Sequence, residues 1–119
     1  MTAPIRRFDS AENGIRVLSK LLRTYQVKYG LKTVAAIISL WTPSSENDTG
    51  AYVTSVQQSI KACTGKEATR DLVLTDPAIM TGLVKAIIKH EIAGFEYPGT
   101  ILAEGVRRAL SAILLKALP

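Results

Sequence analysis

The stretch PAIMTGLVKAIIKHE, residues 77–91, indicates most directly that this chain is helical. Its residues Met80, Val84, Ile87, Ile88 and Glu91 recur every three or four positions, so they share one face of an α-helix. Only the last of them is charged. A charge on an apolar stripe is unfavourable unless it is paired, hydrogen-bonded or protonated. The stretch therefore predicts a core helix that carries a candidate functional residue, Glu91.

The N-terminal part of the chain predicts a long first helix. Asp9 or Ser10 can cap its start, and a glutamate follows Asp9 at the third position, as a capping box prefers. Apolar residues then repeat at helical spacing up to Tyr29. Gly30 is suited to a left-handed end.

The remaining pattern completes an all-α fold. The helix of residues 77–91 is expected to end near Gly94. Three further helices are predicted: from Thr33 to Trp41 before Pro43, from Asp48 or Thr49 to about Gly65, and from Thr100 onward. The apolar run 72–74 is too short to anchor a sheet. We therefore expect one compact, all-α domain of about five helices over residues 1–119, with residues 1–8 as a flexible N-terminal arm.

The composition of the chain argues against several functional classes. The chain has 119 residues, 47% of them hydrophobic, and a net charge of +5. No apolar run reaches the length of an ordinary transmembrane helix, and the start resembles no signal peptide. The basic residues are spread along the chain, which favours solvated helix faces and predicts no specific nucleic acid partner. Cys63 is the only cysteine, so we expect it to be a small core residue, and we expect no internal disulfide and no metal cluster. We also expect no cofactor.

The last helix changes character towards its end. Apolar residues there, including Ile113, Leu114, Leu115 and Leu118, wrap round almost every side. Such a helix lies in a core or contacts another chain. In so small a domain we expect self-association, or contact with another protein, through this C-terminal helix.

Glu91 and its neighbour His90 are the first candidates for chemistry. Glu91 could act as a general acid that cleaves a glycosidic bond. The alternative is a half-exposed carboxylate that pairs with Lys85, Lys89 or Arg108. His90 could tune Glu91, but adjacent helical side chains diverge by roughly 100°. A surface or boundary histidine is therefore expected.

The polar loop before the third helix offers a second group of candidates. Glu46 and Asp48 could supply the second carboxylate that most glycosidases need. For Asp48, a helix cap is the favoured alternative. Trp41 could stack on a sugar ring or a partner, although a tryptophan at the end of an apolar helix is more often a core residue.

A larger set of residues resembles one family of small phage virion proteins. The match runs from residue 8 to about residue 95, and its most specific part is the Trp-x-Pro-x-Ser-Glu-Asn-Asp-Thr block that begins at Trp41. The residues that carry the resemblance are Phe8, Glu12, Gly14–Arg16, Leu18, Leu21, Leu22, Thr24–Gln26, Lys28–Leu31, Thr33, Val34, Ile37, Ile38, Trp41, Pro43, Ser45–Thr49, Tyr52, Val53, Leu83, Ala86–Ile88, His90 and Glu91.

The resemblance implies a virion component that is distantly similar to lysozyme-like muramidases and lytic transglycosylases. It implies a lysozyme-like helical fold and contact with peptidoglycan during genome entry. In transglycosylases one acidic residue can suffice, because a hydroxyl of the sugar itself attacks. Carried over to this chain, the catalytic residue is Glu91, and the substrate-binding residues are Trp41, Glu46, Asn47, Asp48, Thr49 and His90. This chain departs from the family at Leu40, where an arginine is usual, and at residues 92–94, where the family has Asn-Gly.

Three hypotheses follow. The first is a structural protein of a phage virion, made in the host cytoplasm, whose partners are other virion proteins and peptidoglycan. The second is an active peptidoglycan transglycosylase or muramidase with Glu91 as its acid. The third is a phage-encoded protein that binds a host protein through the apolar end of the last helix.

Overall fold

The computed structural model describes residues 10–41, 49–68, 71–92 and 95–117. These ranges form five α-helices and contain no strand. The helices are α1 (Ala11–Tyr29), α2 (Val34–Trp41), α3 (Thr49–Thr64), α4 (Pro77–Glu91) and α5 (Gly99–Ala117). The predicted all-α class is confirmed. The arm of residues 1–8 and the expected cap Asp48 lie outside the described residues.

Local capping explains why the helices begin and end where they do. The Ser10 side chain accepts a hydrogen bond from the backbone N–H of Asn13, so Ser10 caps α1, and Asp9 lies outside the described residues. Gly30 ends α1 with φ of 63°, a left-handed conformation that favours glycine. The Thr33 hydroxyl caps α2, and Asp76 caps α4 with proline in its first turn. These contacts span two or three residues, which is why the sequence predicts them well.

α1 and α5 cross in close contact at Gly105. The backbone oxygen of Glu12 and the side chain of Ile15 lie on one side of this crossing. The Arg108 guanidinium donates to the Asn13 side chain at 3.3 Å. Residues 12–15 of α1 thus lie against residues 105–108 of α5.

α3 and α4 form an antiparallel pair, which crosses at Gly82. Ile60 of α3 lies directly against Gly82, and the Ser59 hydroxyl donates to the Gly82 carbonyl at 2.7 Å. At the other end of the pair, Tyr52 of α3 contacts His90 of α4. This pairing brings the start of α3 next to the end of α4, where the predicted site residues lie.

All five helices contribute to one hydrophobic core. The buried residues of this core come from α1, α2, α3, α4 and the segment between α3 and α4, and α5 adds Leu102, Val106 and Leu110. The face of α4 that the sequence predicted is confirmed, since Met80, Val84, Ile87 and Ile88 are all buried. None of the helices in the described ranges is both long and apolar enough to cross a membrane.

The prediction for Cys63 was wrong, because this residue is exposed. It continues the buried stripe of α3, but α4 begins with Pro77 at this level, so no helix covers the thiol. Cys63 lines a groove of about 510 Å³ together with Ala78, Leu110 and Leu114. The apolar end of α5 adjoins this groove, and its Leu114 and Leu115 side chains are 60% and 68% exposed.

Candidate functional site

The ends of α2 and α4 meet through a hydrogen bond between two of the predicted site residues. The indole Nε1 of Trp41 donates to Oε1 of Glu91 at 3.2 Å. Trp41 is the last residue of α2, and Glu91 is the last residue of α4. Because Trp41 is only 5% exposed, its ring belongs to the core, as the favoured alternative predicted, and does not present a face to a sugar.

His90 and Tyr52 form an aromatic stack beside this hydrogen bond. Their ring centroids lie 3.8 Å apart, with the planes inclined by 22°. His90 is exposed, as predicted, whereas Tyr52 is buried. The adjacent side chains of His90 and Glu91 thus diverge as helical geometry requires, one towards α3 and the other towards α2.

Tyr52 introduces a buried polar atom into the site. Burial raises the pKa of the Tyr52 hydroxyl well above its ordinary value, and the nearby Glu91 carboxylate raises this pKa further. Within the described residues the hydroxyl has no hydrogen-bond partner, and the same holds for the buried hydroxyls of Thr49 at the start of α3 and Ser19 of α1. Tyr52 thus places a buried polar atom within electrostatic range of the Glu91 carboxylate.

Glu91 does not form the ion pairs that the structural alternative predicted. Lys85 and Lys89 approach Glu96 instead, at 3.9 and 3.7 Å. Arg108 pairs with Glu104 at 2.7 Å. The carboxylate of Glu91 is partly exposed and is bound by a neutral donor, the indole.

The structure therefore brings together three of the predicted residues, Trp41, His90 and Glu91. Thr49 lies at the start of α3, one turn before Tyr52, and Glu46, Asn47 and Asp48 lie outside the described residues. Tyr52 was not among the predicted site residues. Its position next to the polar block 45–49 was the available signal, since the first turn of α3 must lie close to that block.

The chemistry open to this arrangement is that of a single carboxyl group. A half-buried glutamate with one neutral donor can hold a proton and deliver it to a leaving group. Among the residues that the structure describes, no group of three or more His, Cys, Asp or Glu is placed to hold a metal ion. A reaction catalysed at this site by side chains alone, without a metal ion, would depend on Glu91.

Comparison with known proteins gives one informative similarity. No family model matches the chain. Over 49 residues the chain is 47% identical to protein P5 of Pseudoalteromonas phage PM2. The aligned part covers 41% of this chain and 31% of P5, so it extends over about a third of the length of that relative. This similarity supports the assignment of the chain as a bacteriophage protein.

Proposed function

We propose that this chain is a structural protein of a bacteriophage virion, with lysozyme-like ancestry, that engages the bacterial cell wall during genome entry. The observation that carries the structural role is the hydrogen bond from Trp41 to Glu91. Through this hydrogen bond Glu91, the candidate acid, connects the end of α4 to the end of α2. A buried indole held in this way contributes to a rigid core and is not open to a sugar ring.

Two further observations support a place in a virion. The similarity to a phage protein covers 49 residues. The end of α5 exposes Leu114 and Leu115 beside an apolar groove, and contiguous apolar surface of this kind suits contact with other proteins. We assign this end of α5, residues 110–115, to contacts with other virion proteins or with further copies of this chain.

The virion role predicts that the chain is present in purified particles and that its incorporation depends on the end of α5. Leu114→Gln/Leu115→Gln should lower the amount of the chain per particle at least about tenfold, since each lost anchor removes roughly 1 to 2 kcal/mol of apolar burial. Quantitative mass spectrometry of density-purified particles measures this amount. Val27→Gln/Val73→Gln changes two other exposed apolar residues and should leave the amount unchanged. A chain absent from wild-type particles would instead favour the binding of a host protein.

An active lytic transglycosylase is the second candidate function. One observation favours it: within the described residues Glu91 forms no ion pair, because Lys85 and Lys89 pair with Glu96. A carboxyl group without a cationic partner keeps the ability to carry a proton, which a general acid requires. The sequence resemblance points to the same residue.

The two candidates predict different results with purified peptidoglycan. If the chain is a transglycosylase, wild-type protein releases anhydro-sugar fragments, and Glu91→Gln lowers the rate by about a hundredfold or more, because the proton donor is lost. Mass spectrometry of the soluble products measures this release. Glu67→Gln is the matched control, since it removes an exposed glutamate that pairs with Lys61 of α3 and not with the lysines of α4, and it should keep full activity.

If the chain is a structural protein that engages the wall, the same assay gives another pattern. Wild-type protein sediments with peptidoglycan and releases no fragments, and Glu91→Gln sediments equally well. Folded wild-type protein that neither binds nor cleaves peptidoglycan would contradict both readings of the site and leave only the virion role.

A further inference from the structure

The ion pairs of this protein are distributed unevenly among its helices. In the described part of the chain, Lys61 pairs with Glu67, Lys85 and Lys89 pair with Glu96, and Arg107 and Arg108 pair with Glu104. The two arginines lower the pKa of Glu104 to about 2, so this carboxylate stays ionised and paired. These acidic groups neutralise cations of α3, α4 and α5 only.

Among the residues that the structure describes, the cations of α1 form no ion pair with an acidic side chain. Arg16, Lys20 and Arg23 are spaced four and three residues apart, so they form one row along α1, beside the stripe of buried residues Ile15, Leu18 and Leu22, and all three are partly exposed. We call these three residues the α1 basic row. Glu12, one turn before it, forms no ion pair with Arg16 within the described residues. Lys28 and Lys32 extend the positive charge beyond the row.

This row is unfavourable for the isolated protein. Like charges three or four residues apart on a helix repel each other and destabilise it. Only Arg23 has a polar partner of its own, because it donates to the side chain of Gln26 at 2.6 Å. A bound polyanion would remove the repulsion, since it places a negative charge beside each cation.

We propose that the α1 basic row binds the phosphate backbone of duplex nucleic acid without sequence preference. From Arg16 to Arg23 the helix rises about 10 Å. Double-stranded DNA carries one phosphate per about 1.7 Å of its axis, so a straight row of this length can meet several phosphates. The interaction goes beyond the proposed function, and because it involves no base contacts it leaves the expectation of no specific nucleic acid in place.

The surroundings of the row favour a duplex over other polyanions. A helix that inserts into a membrane surface needs a free apolar face, but the apolar face of α1 is buried in the core. Binding of single strands relies on aromatic rings interleaved with the cations. The tyrosines of α1, Tyr25 and Tyr29, contact each other and lie beyond Arg23. A rigid cationic helix without base-stacking groups along its row suits the regular backbone of a duplex.

The test compares two variants that lose the same charge. Arg16→Gln/Lys20→Gln/Arg23→Gln removes the basic row, and Lys61→Gln/Lys89→Gln/Arg107→Gln removes three cations that are already paired. Binding of each protein to a fluorescent 30-base-pair DNA is measured by anisotropy between 50 and 200 mM NaCl. For wild type, the slope of log K against log salt should be about −2.7 to −4.5, which corresponds to three to five phosphates.

Loss of the row should flatten this slope by about 2.7 and weaken binding at 50 mM salt at least tenfold, whereas the control triple variant should stay within about threefold of wild type. Circular dichroism and urea unfolding verify the fold, and removal of the repulsion should raise the urea midpoint. If the triple variant does not fold, Lys20→Gln alone should still reduce the slope by about 0.9. The proposal is overturned by equal weakening in both triple variants, by no binding of wild type at 50 mM salt, or by row-dependent binding to phosphatidylglycerol vesicles without binding to DNA.

Discussion

Replacing Gly82 by alanine is expected to destabilise the protein by about 1–3 kcal/mol. A Cβ atom at this position would lie 2.7 Å from Cα of Ile60, so the backbones of α3 and α4 would have to move apart. Alanine is favoured over glycine by about 1 kcal/mol inside a helix, but this gain is smaller than the expected loss from overpacking. The free energy of unfolding, measured by urea denaturation, checks the result.

Gly105→Ala should behave in the same way, and Gly99→Ala should not. At Gly105 a Cβ atom would lie 2.6 Å from the Ile15 side chain and 2.9 Å from the Glu12 carbonyl oxygen. At Gly99, the first residue of α5, no atom lies within 4 Å of the added carbon. Gly99→Ala should therefore change stability by no more than about 0.5 kcal/mol. An equal loss of stability at all three positions would show that glycine is not required at Gly82 and Gly105 by the close contact between helices.

Replacing Trp41 by alanine is expected to cost about 3–5 kcal/mol of stability, the largest effect of any substitution considered in this protein. The ring is buried at the junction of α2 with the rest of the core, and its indole N–H binds Glu91. Thermal and urea unfolding measure the loss. Leu40→Ala, one residue earlier on α2, is the matched control, because Leu40 is 44% exposed and its truncation should cost less than about 1 kcal/mol.

The contribution of the Trp41–Glu91 hydrogen bond to stability can be measured separately from the contribution of burying the indole ring. Trp41→Phe keeps most of the apolar contact and removes the donor, so it leaves the Glu91 carboxylate without its partner. In a double-mutant cycle with Glu91→Gln, the coupling between the two positions should be about 1 kcal/mol. Coupling near zero would show that the contact between Trp41 and Glu91 does not stabilise the fold, and Glu91 would then be freer for a catalytic role.

Much of the fold follows from short-range signals in the sequence. Helical spacing predicts the five helices, and the caps at Ser10, Thr33 and Asp76 bind groups two or three residues away. Gly30 ends α1 because few other residues adopt its positive φ. Such features depend on neighbouring residues alone, so they can be predicted without knowledge of the packing.

The candidate site was predicted less completely. The sequence identifies Glu91 as unusual, because it places a charge on an apolar stripe, and the structure confirms that Glu91 is partly buried. The partner of Glu91 could not be predicted from the sequence. Lys85, Lys89 and Arg108 are all nearer to Glu91 in the chain than Trp41 is, and they carry the opposite charge, so they were the expected partners. Trp41 is 50 residues away, and only the joint packing of α2 and α4 on the core brings the two together.

By itself, the sequence determined the five helices, the caps at Ser10 and Thr33, the end of α1 at Gly30 and the buried face of α4, because hydrogen bonds and spacing within one helix decide these features. The tertiary structure alone decided which polar groups meet. It joined Trp41 to Glu91, left Cys63 exposed beyond the start of α4, and paired the acidic residues with cations outside α1. These outcomes depend on distances between helices that are far apart in the chain, and the packing of the core sets those distances.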